Sequence, residues 1–192
     1  MMDIIHIKEP WECYAFENFL SPERWETIRE LGQKHLKNFY EVGATTQNYE
    51  KKELAVRNKY SFYESEDIIP ETNELFYKYD LPHRGYEGKL KKIIHWAIAP
   101  SKWTYPPHCD NRARISTTIL YVDPLKSDGT ILHKNLSKND KGDHEEASDP
   151  SEYTYELEWK PNKAFFHNSL PNITWHSIRN SYDVPRITLN SF

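Results

Sequence analysis

Residues 90–124 read LKKIIHWAIAPSKWTYPPHCDNRARISTTILYVDP. Three runs in this stretch are rich in β-branched and aromatic residues, and each ends on turn chemistry. Leu90–Ala99 is ended by Pro100, Trp103–His108 follows it, and Ile115–Val122 is closed by Asp123-Pro124. Short runs of this kind between proline and glycine punctuation read as strands. The pattern continues to the end of the chain in Gly129–Lys134, Tyr153–Trp159, Lys163–His167, Ile173–Arg179 and Arg186–Phe192. That makes about eight short strands after Gly88, a spacing that predicts an all-β sandwich or barrel.

Upstream of Gly88 the periodicity changes. Cys13–Leu20 reads as a short strand leading into a helix. Ser21 is a good N-cap, and Pro22 stands where the first helical turn tolerates proline. Trp25, Ile28, Leu31, Gly32, His35, Leu36 and Phe39 then recur at helical spacing. Residues 41–52 are polar and loop-like, Leu54–Tyr63 reads as a strand, and Pro70–Tyr79 as a second, shorter helix. The expectation is one domain over 1–192, mainly β. Its helix-containing support region spans 1–88 and its strand-rich core 89–192, and the N-terminal helices cover one outer sheet face.

Composition bounds the function. Lys+Arg number 25 and Asp+Glu 29, for a net charge of −4. That balance gives no global attraction to phosphate backbones or anionic lipid, which argues against nucleic acid as a partner. No segment has the length and apolarity of a membrane span, and Met1–Pro10 does not resemble a signal peptide. Cys13 and Cys109, the two cysteines, form neither a disulfide framework nor a zinc cluster, which suits a reducing, cytoplasmic compartment. With 6 Trp, 13 Tyr and 8 Phe, aromatic rings supply much of the core. Residues 137–152 are polar apart from Ala147 and predict a solvated surface loop, with a substrate-covering lid as the other reading. Oligomeric state has no sequence signal.

The chemistry-bearing residues begin at Tyr105-Pro106-Pro107-His108-Cys109-Asp110. In extended chain, residues i and i+2 point to one face, so His108 and Asp110 converge while Cys109 points away. A second His-x-acid pair, His144-Glu145-Glu146, sits in the polar stretch with no strand pattern to hold it and is assigned to chance. His176 offers a third ligand in a strand-like run. Of the nine histidines it alone has an arginine ten residues on, at Arg186. Two histidines and one carboxylate with open positions describe the facial triad of non-haem Fe(II) oxygenases. Arg186 with the Thr188 hydroxyl makes a fork for a carboxylate.

In these residues the sequence resembles the Fe(II)/2-oxoglutarate-dependent dioxygenases, and within them the prolyl-hydroxylase-like branch. Tyr105 stands three residues before the first histidine, as in that branch. Arg114, Thr117 and Tyr121 match its Arg-x-x-Thr-x-x-x-Tyr pattern, followed by Val122-Asp123 where the family has Leu-Asn. Asp128-Gly129-Thr130-Ile131-Leu132 loosely matches a Gly-Gly-x-Leu, and Pro161–Phe166 is similar to the turn and strand before the distal histidine. The resemblance covers 105–190 well and the N-terminal half loosely. It implies a double-stranded β-helix, the jelly-roll or cupin-like barrel. It also implies metal ligation and catalysis by His108, Asp110 and His176. The 2-oxoglutarate co-substrate would be held by Arg186 with Thr188 and Tyr121, with Thr117 and Tyr105 in the same pocket. Fe(II), 2-oxoglutarate and O2 are the implied cofactors, with ascorbate an optional reductant. Decarboxylation to succinate would be coupled to hydroxylation of a peptidyl-prolyl or small-molecule substrate. Two other readings stand beside it: a non-catalytic jelly-roll module that binds sugar or peptide, and a cupin-like metal enzyme that does not use 2-oxoglutarate.

Overall fold

The computed structural model describes residues 2–40, 60–80, 90–110, 113–134 and 154–192. The strand expected to begin at Leu54, the polar segments 41–52 and 137–152, and the pair at His144 lie wholly or partly outside these residues. Two helices and eleven strands are seen in the described residues. They are β1 (Asp3–Ile7), β2 (Cys13–Glu17), α1 (Pro22–Asn38), β3 (Tyr60–Glu64), α2 (Glu71–Tyr79), β4 (Ile94–Ala99) and β5 (Trp103–His108). There follow β6 (Ser116–Asp123), β7 (Thr130–His133), β8 (Thr154–Glu156), β9 (Ala164–Asn168), β10 (His176–Asn180) and β11 (Arg186–Ser191). All pair antiparallel in two sheets, a seven-stranded one in the order β1-β2-β9-β6-β11-β4-β3 and a four-stranded one in the order β5-β10-β7-β8.

Side-chain alternation sorts the large sheet into two faces. On the outer face Phe16, Trp96, Ile98, Leu120, Val122, Phe166, Ile187 and Leu189 form one apolar cluster with Ile28 of α1 and Leu75 of α2. Both helices therefore cover one face, as expected. Helix α1 begins as its sequence dictates: the Ser21 hydroxyl accepts from the Arg24 N–H at 3.4 Å, and Pro22 opens the first turn. Gly32 lets α1 lie close to the sheet, since a Cβ there would stand 3.0 Å from the Trp96 ring and 3.1 Å from Val122. The inner face packs on the small sheet through Cys13, Ala15, Ile119, Tyr121, Phe165, Leu132 and Trp159. Both cysteines are buried thiols, Cys109 against Trp175.

Several boundaries differ from expectation. Strand β1 was not foreseen. Its residues are exposed apart from Ile7, so no burial pattern marks it, and it exists as an edge paired to β2. Strand β4 begins at Ile94 rather than Leu90. Strand β10 begins at His176 because Thr174 closes a turn on Leu170, its hydroxyl engaging both the Leu170 carbonyl and N–H at 3.1 Å. The loose match at Asp128-Gly129 has a definite cause: a Cβ on Gly129 would fall 1.4 Å from the Leu157 carbonyl oxygen. Only glycine lets the β7 and β8 backbones approach there.

A candidate metal centre and a buried arginine

Strands β5 and β10 lie side by side with His108 directly opposite His176. Asp110 follows two residues after the end of β5. One ligand atom from each of His108, Asp110 and His176 lies within 4.8 Å of the others, and all three residues are buried. This trio could hold a metal ion. Pro106-Pro107 and the Thr174 turn have a local consequence: the carbonyls of Pro106 and Thr174 each lie 3.0 Å from the Nδ1 of the histidine two residues on. A ring that donates from Nδ1 carries its lone pair on Nε2, the state a metal ligand requires.

The carboxylate is held from the opposite sheet. Arg114 Nη1 donates to Asp110 Oδ1 at 2.8 Å, and Thr117 Oγ1 donates to Oδ2 at 2.6 Å. His167 Nε2 stands 3.6 Å from the same oxygen. Burial works to raise the Asp110 pKa, but the groups around it, His176 first and then His167, Arg114 and His108, hold it well below the usual carboxylate range. Burial, reinforced by His176, pushes His167 down to about 4, so its ring is neutral at pH 7. Tyr105 presents its ring edge-on to His108, with centroids 4.4 Å apart.

A second buried group stands at the start of β11. Arg186 is 1 % exposed, and its guanidinium stacks over the rings of Trp159 and Tyr121 at 4.8 and 5.4 Å. Nη2 reaches Thr130 Oγ1 at 3.3 Å, while Nε and Nη1 have no hydrogen-bond partner. The Tyr121 hydroxyl donates to Thr130 Oγ1 at 2.9 Å and accepts from the Thr130 N–H at 3.1 Å. Burial raises the Tyr121 pKa, with Arg186 opposing, so it remains a neutral donor. Thr188 stands next to Tyr121 in register and is buried. Asp183, three residues before Arg186 in sequence, pairs with Lys102 at 3.2 Å. Strand β6 links the two features: Thr117 touches Asp110 and Tyr121 underlies Arg186, four residues apart on one face, or roughly 13 Å of strand.

The expected residues thus divide into two groups. His108, Asp110 and His176 come together with Tyr105 beside them, and Arg186, Tyr121 and Thr188 come together around a separate point. Thr117 was expected beside the co-substrate, but its hydroxyl is committed to Asp110. Four residues near the site had been given no role in it by sequence reasoning. His167 sits two residues from Phe165 on an alternating strand, and that spacing turns it to the same inner face. Arg114 had been noted only as part of a pattern. Thr130 and Trp159 carried no separate signal, because their contact with Arg186 is made between segments remote in sequence.

No protein-family model matches the sequence, and no curated protein is similar to it in sequence. Solved structures are similar in fold. A Pseudomonas putida prolyl-4-hydroxylase superposes with a TM-score of 0.56 at 13 % identity, over 92 % of this chain and 89 % of that one. A Trichoplax adhaerens prolyl hydroxylase, solved in complex with a hypoxia inducible factor oxygen degradation domain peptide fragment, gives 0.54 at 14 % identity, over 92 % and 80 %. The shared property is a mainly β fold of antiparallel sheets with supporting helices. Among the described residues no helix is long and apolar enough to cross a membrane.

Proposed function

We propose that this chain is an Fe(II)- and 2-oxoglutarate-dependent dioxygenase, built as a double-stranded β-helix, that hydroxylates a peptidyl-prolyl or small-molecule substrate in the cytoplasm. The observation that carries the reading is Arg186. A buried guanidinium with no carboxylate in hydrogen-bond contact among the described residues is costly to keep, and two of its nitrogens are unpartnered there, on the inner sheet face from which Thr117 reaches Asp110. A small diacid that reaches from the metal to Arg186 would satisfy it. The alternative of a metal enzyme that does not use 2-oxoglutarate leaves those nitrogens without a function.

The donor set fits the group. Two imidazoles and one carboxylate are the ligand types that suit Fe(II), and such a trio leaves coordination positions for other ligands. His108, Asp110 and His176 would hold the iron, which with 2-oxoglutarate and O2 supplies an oxidant for C–H hydroxylation, leaving succinate and carbon dioxide. The chain's own contribution is to orient and enclose. Thr117 and Arg114 fix the Asp110 carboxylate from the facing sheet. The Pro106 and Thr174 carbonyls set the imidazole tautomers. Arg186, with Tyr121 and Thr188 beside it, would receive the far carboxylate, and Trp159 shields that ion pair from water, which strengthens it. The peptide carried by one structural neighbour favours a peptide as the substrate, and the buried thiols suit a reducing compartment.

Binding is the first test. Mn(II) with 2-oxoglutarate at a hundred times its dissociation constant should stabilise the protein by about 2.7 kcal/mol, a melting shift of roughly 5–10 °C for a chain of this size. His176→Ala should remove the metal-dependent part, and Arg186→Met the part due to the keto acid. Conversion of 2-oxoglutarate to succinate with Fe(II), and not without it, tests turnover. No shift with metal plus 2-oxoglutarate would falsify the reading.

A further inference from the structure

On the helix side of the large sheet, against α2, lies a cavity of about 660 Å³. Neither the His-Asp-His trio nor Arg186 lines it. Its volume falls in the range of small-molecule sites. Thr118 and Phe166 of the outer sheet face lie in its wall, and Phe192 lies at the chain end. Three side chains around it are large, apolar and exposed: Tyr63 at 71 %, Tyr77 at 63 % and Leu90 at 47 %. Exposed apolar groups gathered around a concavity mark a binding surface, where the same groups scattered singly would mean nothing.

Charge narrows the ligand. The chain carries more acids than bases, yet among the described residues the charged side chains lining the cavity are Lys91, Lys92 and Arg114. Lys92 is committed to Asp67 at 2.7 Å and to the Ile69 carbonyl at 2.8 Å. Lys91 has no ion-pair partner among the described residues. Arg114 spends Nη1 on Asp110 and lies flat over the Phe192 ring at 3.7 Å, leaving Nε and Nη2 without a partner among the described residues.

We infer that this cavity binds a small aromatic carboxylate. Its ring stacks among Tyr77, Phe76 and Phe192, and its anionic group is met by Lys91 and Arg114. The site needs neither metal nor 2-oxoglutarate, so it stands or falls apart from the reaction assigned above. Arg114 is the one side chain that both lines the cavity and holds the Asp110 carboxylate.

The test uses three probes of one shape and different charge: phenylacetate, 2-phenylethanol and 2-phenylethylamine, titrated into the metal-free, isotope-labelled full chain and followed by amide spectra. Phenylacetate should bind saturably, with a dissociation constant on the order of a millimolar. The shifts should centre on Tyr77, Lys91 and Ser116, and the amine should bind more weakly than the acid. Lys91→Glu, a change at an exposed position, should weaken phenylacetate about five-fold and leave 2-phenylethanol unchanged. Tyr77→Ala, equally exposed, should weaken both. The inference is overturned if the amine binds as well as the acid, if Lys91→Glu has no effect, or if the shifts gather around Arg186 and Thr188. It is also overturned if no saturable shift appears up to about 10 mM.

Discussion

The two faces of the large sheet are built from the same strands and meet opposite requirements. Outward, β11 sends Ile187 and Leu189 into the helix-covered cluster with Trp96 and Leu120. Inward, it sends Arg186, Thr188 and Asn190, all buried. The outer face largely satisfies itself: its apolar groups pack in one cluster with α1 and α2, and beside the cavity the Thr72 hydroxyl donates to Ser191. The inner face does not. Arg186 Nε and Nη1, His167 Nε2 and Asn190 Oδ1 are buried without hydrogen-bond partners. An unpaired buried polar group costs on the order of 1–3 kcal/mol. An inner face that keeps several is stabilised from elsewhere. The stabilising packing is therefore concentrated on the outer face, and the groups to which the proposed function assigns chemistry lie on the inner one.

That division can be tested in four places. The largest effect belongs to the outer face: Trp96→Ala should destabilise by about 3–5 kcal/mol, read as a lower urea midpoint at unchanged slope. It should leave the affinity of the residual folded protein for Mn(II) unaltered. A cost below about 1 kcal/mol would mean the helix-covered layer is not the stabilising one. On the inner face, Arg186→Met should leave the unliganded protein as stable or more so, since it replaces an unpaired buried charge with a packed side chain. The same variant should lose the keto-acid share of a ligand stabilisation of about 2.7 kcal/mol. Substantial unfolding of Arg186→Met would put Arg186 on the structural side of the comparison.

Thr117→Val comes third. It removes the 2.6 Å hydrogen bond to Asp110 while keeping the shape of the side chain, and metal affinity should fall roughly 10–100-fold. Competition with a chelator would measure it, and an unchanged affinity would show that Arg114 alone suffices to hold the carboxylate. The smallest effect lies at the end of β2. Glu17 accepts from Lys160 at 2.6 Å and pairs with Lys163 at 3.2 Å. The hydrogen bond from Lys160, opposed by burial and aided by Lys163, lowers its pKa in the folded chain. A lowered folded pKa means stability that is present above the unfolded value of about 4.3 and lost as pH falls through the folded one. Because the pair is near the surface, the contribution is about 0.5 kcal/mol. Glu17→Gln should remove that much of the acid-side slope and leave melting between the two sheet faces otherwise unchanged.

Much of this was legible along the chain. Trp103–His108 and the start of β11 at Arg186 were placed to the residue, because proline punctuation and alternation mark them. The pairing of His108 with Asp110 followed from the two-residue period of extended chain, and the start of α1 from Ser21-Pro22. Other features were hidden for identifiable reasons. Strand β1 buries almost nothing, so no pattern betrays it. His167 stands beside phenylalanines in β9, where a histidine reads as core filler. The hydroxyl of Thr117 faces the inner cleft as strand period requires, but alternation names the face and not the neighbour across it.

The amino-acid order by itself determined which residues face inward and where strands start and stop, because those properties depend on neighbours a few positions away. It also set the ligand types, two imidazoles and a carboxylate. What only the tertiary structure decided is how the inward groups are shared out. Asp110 is held by Thr117 and Arg114, Arg186 is stacked on Trp159 and left unpaired, and a second cavity opens behind the sheet against α2. Those assignments depend on the packing of one sheet on the other and of a helix on the outer face, contacts between segments far apart along the chain that no local periodicity encodes.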